Sequence, residues 1–147
     1  MSDIFCMLLI EDNPADARLV EEALRENKVL IDLHTVPDGE LALDYLHQRG
    51  QFSNATPPDL ILLDLNLPGM DGREILAHIK QDPVLRSTPT IILTTSQADR
   101  DIVETYQLSA NAYVIKPLDF EQFMNIIRDT AQFWLSVAVL PDGRNTN

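Results

Sequence analysis

Reactive side chains stand where the apolar runs of this sequence stop. Glu11 and Asp12 follow the run from Phe5 to Ile10, and Asp64 follows Leu60 to Leu63. Thr94 and Thr95 follow Thr90 to Leu93, and Lys116 follows Ala112 to Ile115. Singly, each has an ordinary reading: an acidic pair favours a helix start, a lone aspartate caps a loop, a lone lysine is solvated. Gathered in one place they have another. Three carboxylates that close raise one another's pKa unless a cation lies among them. All-oxygen ligands with no His or Cys beside them favour a hard ion such as Mg²⁺, which needs few carboxylates and keeps several waters. A carboxylate beside such an ion and a lysine is equipped to attack a phosphoryl group and become an aspartyl phosphate. In that chemistry Asp64 is the nucleophile, and Glu11, Asp12 and Asp64 hold the ion. The carbonyl of Asn66 completes the ligand shell from a turn shaped by Pro68 and Gly69. Lys116 and the ion neutralise charge on the phosphoryl oxygens, and the Thr94 hydroxyl donates to one of them.

Convergence of this kind needs a particular scaffold. Apolar runs alternate with amphipathic segments along the whole chain, the pattern of a β/α chain with a parallel sheet. Strands are expected at Phe5 to Ile10, Leu30 to Thr35, Leu60 to Leu63, Thr90 to Leu93 and Ala112 to Ile115. Four of these are solidly apolar, as strands buried on both faces are. The second alternates Ile31, Leu33 and Thr35 with Asp32 and His34, as an edge strand does, which leaves His34 solvated. Asn13 with Pro14 reads as an N-cap and first-turn proline, and Asp38 as a second cap. Asp71 with Glu74, and Ser96 with Asp99, have capping-box spacing, and Asp119 with Gln122 opens the last helix. In a doubly wound sheet, ligands bind beyond the carboxyl ends of the strands where the strand order reverses. An order of 2-1-3-4-5 makes strands one and three neighbours, so Glu11, Asp12 and Asp64 share one pocket. The stretch from Gln48 to Asp59, with two prolines, reads as a surface insertion. His47 and His78 fall near helix ends, where solvated or capping roles are the default.

Composition narrows the function classes. At 147 residues and 45% hydrophobic content the chain suits a single domain with a real core. Eleven basic residues against 23 acidic ones give a net charge of -12, which argues against nucleic acid or anionic lipid as a partner. The single cysteine, Cys6, lies in an apolar segment and reads as buried filler in a reducing, cytoplasmic setting. No apolar stretch approaches the ~18 residues of a membrane span, and the N-terminus lacks the design of a signal peptide.

The ordered set "LLIEDNPAD", "LILLDLNLPGMDG", "IILTTS" and "AYVIKP" resembles the receiver domain of two-component response regulators over residues 4 to 134. The resemblance implies a single flavodoxin-like (βα)5 domain with strand order 2-1-3-4-5 and a C-terminal extension at 135–147, with no output domain after it. It implies that Asp64 accepts a phosphoryl group from a sensor histidine kinase. Glu11, Asp12, Asp64 and the Asn66 carbonyl would bind Mg²⁺, Lys116 would contact the phosphoryl group, and Thr94 and Tyr113 would be the switch pair. It also implies a cis Lys116 to Pro117 bond. On activation, the surface built by the fourth helix, fifth strand and fifth helix would change shape. Phe133, Trp134, Val137, Val139 and Leu140 carry the apolar pattern further than one helix face needs. With the insertion before "PPDLILLDLNLPGMDGRE", that ending is similar to the stand-alone regulators paired with cyanobacterial phytochromes. In these, the extended C-terminus supports a homodimer, here through Phe133, Trp134 and Val137; the other reading folds the tail over its own core. Rival functions remain: a pseudo-receiver acting as a binding scaffold, a flavin carrier, or an Asp-nucleophile phosphohydrolase. The flavin carrier wants a Ser/Thr/Gly-rich loop where "EDNPAD" stands, and the hydrolase a second acid where Asn66 stands. Slow self-dephosphorylation is expected.

Overall fold

The computed structural model describes residues 4–26 and 30–143; residues 144–147 of the expected extension lie outside the described residues. Five strands, β1 (Phe5–Ile10), β2 (Ile31–Val36), β3 (Leu60–Leu63), β4 (Thr90–Thr94) and β5 (Ala112–Ile115), form one sheet. All pairings are parallel and the order is β2-β1-β3-β4-β5. The connecting helices are α1 (Pro14–Arg25), α2 (Gly39–Leu46), α3 (Gly72–Gln81), α4 (Asp99–Gln107) and α5 (Phe120–Gln132).

The period-two alternation of the central strands divides the core into two layers. Phe5, Met7 and Leu9 of β1 face Val20, Ala23 and Leu24 of α1 and Phe123, Ile127 and Ala131 of α5. Leu8 and Ile10 face Ala42 and Tyr45 of α2 and Ile75, Leu76 and Ile79 of α3. Full burial of a side chain such as Ile75 or Phe123 contributes about 1.5–3 kcal/mol. Since β1 and β3 are buried at every position, each needs apolar side chains on both faces. Cys6 belongs to this interior: its Sγ lies 3.5 Å from the Tyr45 hydroxyl, and burial pushes the thiol up from its ordinary value.

Caps fall where short polar residues precede the apolar periodicity. The Asn13 side chain accepts from the N–H groups of Ala15 and Asp16, with Pro14 in the first turn. Asp38 accepts from Leu41, Asp71 from Arg73, and Asp119 from Glu121. Ser96 behaves otherwise. α4 begins at Asp99 with Ala98 as its N-cap and no side-chain capping bond, because the Ser96 hydroxyl donates to Asp101 at 2.5 Å instead.

Two further expectations need correction. β5 is only half-buried along its length; it is the second edge of the sheet, so its apolar run does not mark a strand covered on both faces. The Lys116 to Pro117 bond is trans, and the described residues contain no cis peptide bond. Trans is the lower state of an X–Pro bond by about 0.5–1 kcal/mol, and from it Lys116 already reaches its carboxylate partners. The stretch from Gln48 to Asp59 lies mostly at the surface, as its polarity and prolines imply, and is tied down at three points. Phe52 packs edge-on against Tyr45, the Tyr45 hydroxyl donates to the Thr56 carbonyl at 3.0 Å, and Asp59 accepts from the Cys6 N–H at 2.9 Å.

Beyond α5 the chain makes one π-helical turn, Phe133–Val137, closed by a 2.7 Å bond from the Ala138 N–H to the Phe133 carbonyl. Leu135 and Leu140 fold into the α1/α5 layer and Trp134 leans on it, while Phe133 and Val139 stay 50% and 67% exposed. Among the described residues no helix is long and apolar enough to cross a membrane.

Candidate functional site

The site is assembled from the carboxyl ends of four strands. Glu11 follows β1 and is held by a 3.0 Å bond from its N–H to the Val36 carbonyl of β2. Asp64 follows β3, and its N–H bonds the Ile10 carbonyl of β1 at 3.0 Å. The parallel ladder thereby sets the two acids side by side. Oxygens of Glu11, Asp12 and Asp64 lie within 4.8 Å of one another, with Glu11 and Asp64 buried and Asp12 exposed. Between the acids stands the Lys116 ammonium. Its Nζ is 2.5 Å from Glu11, 2.8 Å from Asp16 and 3.1 Å from Asp64.

Burial pushes the Glu11 carboxyl up to about 7, and the Asp64 charge adds to the rise, while the bond from Lys116 opposes it. For Lys116, burial alone would depress the ammonium. Hydrogen bonds to Asp16 and Glu11, with the charges of Glu11 and Asp64, override it and raise the lysine above its ordinary value. The lysine therefore stays charged while the carboxylates crowd it. A hard divalent cation fits this donor set: three carboxylate oxygens are gathered with no His or Cys among them, and one acid sits at the mouth.

The loop after Asp64 is fixed at both ends. Asn66 donates its N–H to Asp64 Oδ1 at 3.1 Å, and Gly69 takes the left-handed conformation at φ +74°. A Cβ on Gly72 would stand 2.5 Å from the Asp64 carbonyl oxygen and 2.6 Å from Leu65 Cα, so the entry of α3 can press against this loop only at a glycine. Thr94, fully buried at the end of β4, accepts from the Asn66 side chain and from the Ser96 N–H, both at 3.4 Å. Its neighbour across the sheet, Lys116, is anchored by a 2.7 Å bond from its N–H to the Thr94 carbonyl.

Tyr113 does not touch Thr94 through its hydroxyl, which donates to the Ser96 carbonyl at 3.0 Å. Ser96 donates its own hydroxyl to Asp101, and Asp101 pairs closely with Arg73, whose guanidinium also holds Asp71 at 3.0 Å. A polar chain thus runs from β5 across the start of α4 to the start of α3. Sequence reasoning missed this chain and missed Asp16. Asp16 was visible only as a first-turn acid of α1. Phe133, Trp134 and Val137 take no part in the pocket; they lie on the turn after α5.

Two of the solved structures similar to this chain carry a telling chemistry. The phosphorylated cyanobacterial phytochrome response regulator RcpA is 47% identical, with a TM-score of 0.91 over 93% of this chain and 98% of that one. The Mn²⁺-bound form of response regulator Rcp1 is 41% identical, with a TM-score of 0.90 over 93% of this chain and 99% of that one. Response regulator Rcp1 of Synechocystis sp. aligns at 42% identity over 135 residues, 92% of each chain. Residues 7–128, most of the chain, match the response regulator receiver domain, and with that match the chain belongs to the response regulator receiver family of two-component signalling.

Proposed function

We propose that this receiver accepts a phosphoryl group on Asp64 from the phosphohistidine of a sensor kinase, one of the phytochrome class. The observation that carries the reading is the Asp64 carboxylate at the end of β3, 3.1 Å from the buried Lys116 ammonium and flanked by Glu11 and Thr94. An Asp64 oxygen attacks phosphorus as the bond to the histidine nitrogen breaks, and the nitrogen keeps the electron pair. Lys116 turns from Asp64 to the oxygens of the transferred group, and the Thr94 hydroxyl, released from Asn66, donates to another. Glu11, Asp12, Asp64 and the Asn66 carbonyl would hold Mg²⁺, which would supply positive charge to the pocket and to the phosphoryl oxygens. Small phosphate donors serve the same nucleophile, and water slowly removes the group. Thr94 moving inward draws Tyr113 away from Ser96, which alters the α4/β5/α5 surface.

That surface and the extension at 135–147 are read as a homodimer interface. Val103 and Tyr106 of α4, Leu118 and Phe120 at the start of α5, and Phe133 and Val139 beyond it are all exposed apolar side chains. Similarity to RcpA and Rcp1 supports the phytochrome pairing, the net charge of -12 argues against nucleic acid as the partner, and the free, buried Cys6 suits a reducing, cytoplasmic setting. Intact mass after incubation with acetyl phosphate tests the reading. One phosphoryl group should be gained in Mg²⁺, none in a chelator, and none in Asp64→Asn. Undiminished uptake by Asp64→Asn would end the assignment.

A further inference from the structure

At the opposite end of the sheet, where the strands begin, a second group of ligand atoms comes together. α2 and α3 both run back from the Asp64 end, and His47 is the C-cap of the first while His78 lies in the last turn of the second. Their Nε2 atoms are 2.8 Å apart, the rings almost perpendicular at 84°. Asp82 follows His78 by four residues and so shares its face; its carboxylate lies with both imidazole nitrogens inside a 4.8 Å circle. Asp82 is also fixed in place. Its Oδ1 accepts from the Val84 and Leu85 N–H groups at 2.8 and 3.0 Å, and these bonds hold the carboxyl below its ordinary value.

We propose that His47, His78 and Asp82 form a binding site for a first-row transition dication of the zinc type. The chemistry of the donors selects the ion. Two imidazoles and one carboxylate suit Zn²⁺ and its neighbours, whereas the all-oxygen pocket at Asp64 suits a harder ion. In the observed contact one Nε2 donates its N–H to the lone pair of the other; on metal binding the donor ring moves that proton to Nδ1 by exchange with water, so both Nε2 lone pairs face the ion. Nitrogens bound to one tetrahedral zinc at 2.0–2.1 Å stand roughly 3.3 Å apart, so the rings need separate by only about half an ångström. His78 is exposed and His47 half-buried, which leaves them free to do so. The carbonyl ends of two helices add their negative partial charge at the same spot. Water completes the shell. The ion would pin the end of α2 to the end of α3, away from the phosphoryl chemistry.

The test is calorimetric titration of the untagged full chain with Zn²⁺ in excess Mg²⁺, which keeps the acidic pocket filled. The expected result is one equivalent bound, with affinity at least tenfold lower in His47→Ala and in His78→Ala and unchanged in His34→Ala. The ring proton signals of His47 and His78 should shift on addition of Zn²⁺, and phosphoryl uptake by His78→Ala should match the natural chain. Zn²⁺ binding that survives both histidine substitutions, or that is lost in Asp12→Asn or His34→Ala in their place, would overturn the site.

Discussion

Lys116 holds together a pocket that would otherwise repel itself. Its side chain is 4% exposed and faces Glu11, Asp16 and Asp64, so removing it leaves buried carboxylates without their counter-charge. Loss of one partner from a buried ionic group typically costs about 3–5 kcal/mol. Lys116→Met should therefore unfold at lower urea than the natural chain in a chelating buffer, by about 3 kcal/mol. Saturating Mg²⁺ should narrow that gap, because a dication takes over part of the compensation. Equal unfolding midpoints for the two chains in chelator would show that the lysine does not carry this role. At this scale the sequence spoke clearly where a polar residue ended an apolar run, as at Glu11, Asp64, Thr94 and Lys116. It was silent where polar residues are ordinary. Asp16 in a first helical turn and Asp101 in another look like any acids favoured by a helix start, and only the fold shows that one faces Lys116 and the other Arg73.

Among the elements, α4 has the weakest local reasons to be where it is. No side chain caps its start, Thr105 alone is buried, and Val103 and Tyr106 face solvent. What ties it down is Arg73 of α3, which pairs with Asp101 and lies 3.4 Å from Glu104, while Ser96 bonds Asp101 from the preceding loop. A helix held by polar contacts at one end is free to shift when those contacts are remade, as a surface that reports on a distant phosphoryl group needs to. Arg73→Ala should therefore raise amide hydrogen exchange across Asp99–Gln107 roughly fivefold, about 1 kcal/mol, and leave β1 and β3 protected. Exchange in α4 that does not change would mean that its packing, not the Arg73 tie, sets its stability. The sequence placed this helix but misjudged its start, because Ser96 has the type and spacing of a cap and spends its hydroxyl elsewhere. β5 was misjudged for a related reason. Ala112–Ile115 reads as apolar throughout, and periodicity cannot say that one edge of that strand has no neighbour.

For the whole molecule, the extension beyond α5 both completes the core and leaves apolar surface uncovered. Leu135 and Leu140 are buried, so the tail belongs to the fold; Trp134 packs on the same layer, so a charge there would disturb the monomer as well as any interface. Phe133 and Val139, at 50% and 67% exposure, separate the two effects. Replacing both by glutamate should leave circular dichroism and phosphoryl uptake as they are and shift sedimentation from dimer to monomer. Charge sharpens the prediction. Two copies at -12 each repel, and an apolar interface has to overcome that repulsion. Screening at high ionic strength shortens the Debye length to a few ångströms, so a dimer built on this apolar surface should tighten as salt rises, and an interface built on ion pairs would loosen. A natural chain that sediments as a monomer at every salt concentration, with or without acetyl phosphate, would return Phe133 and Val139 to being solvated residues of a tail that serves only its own core.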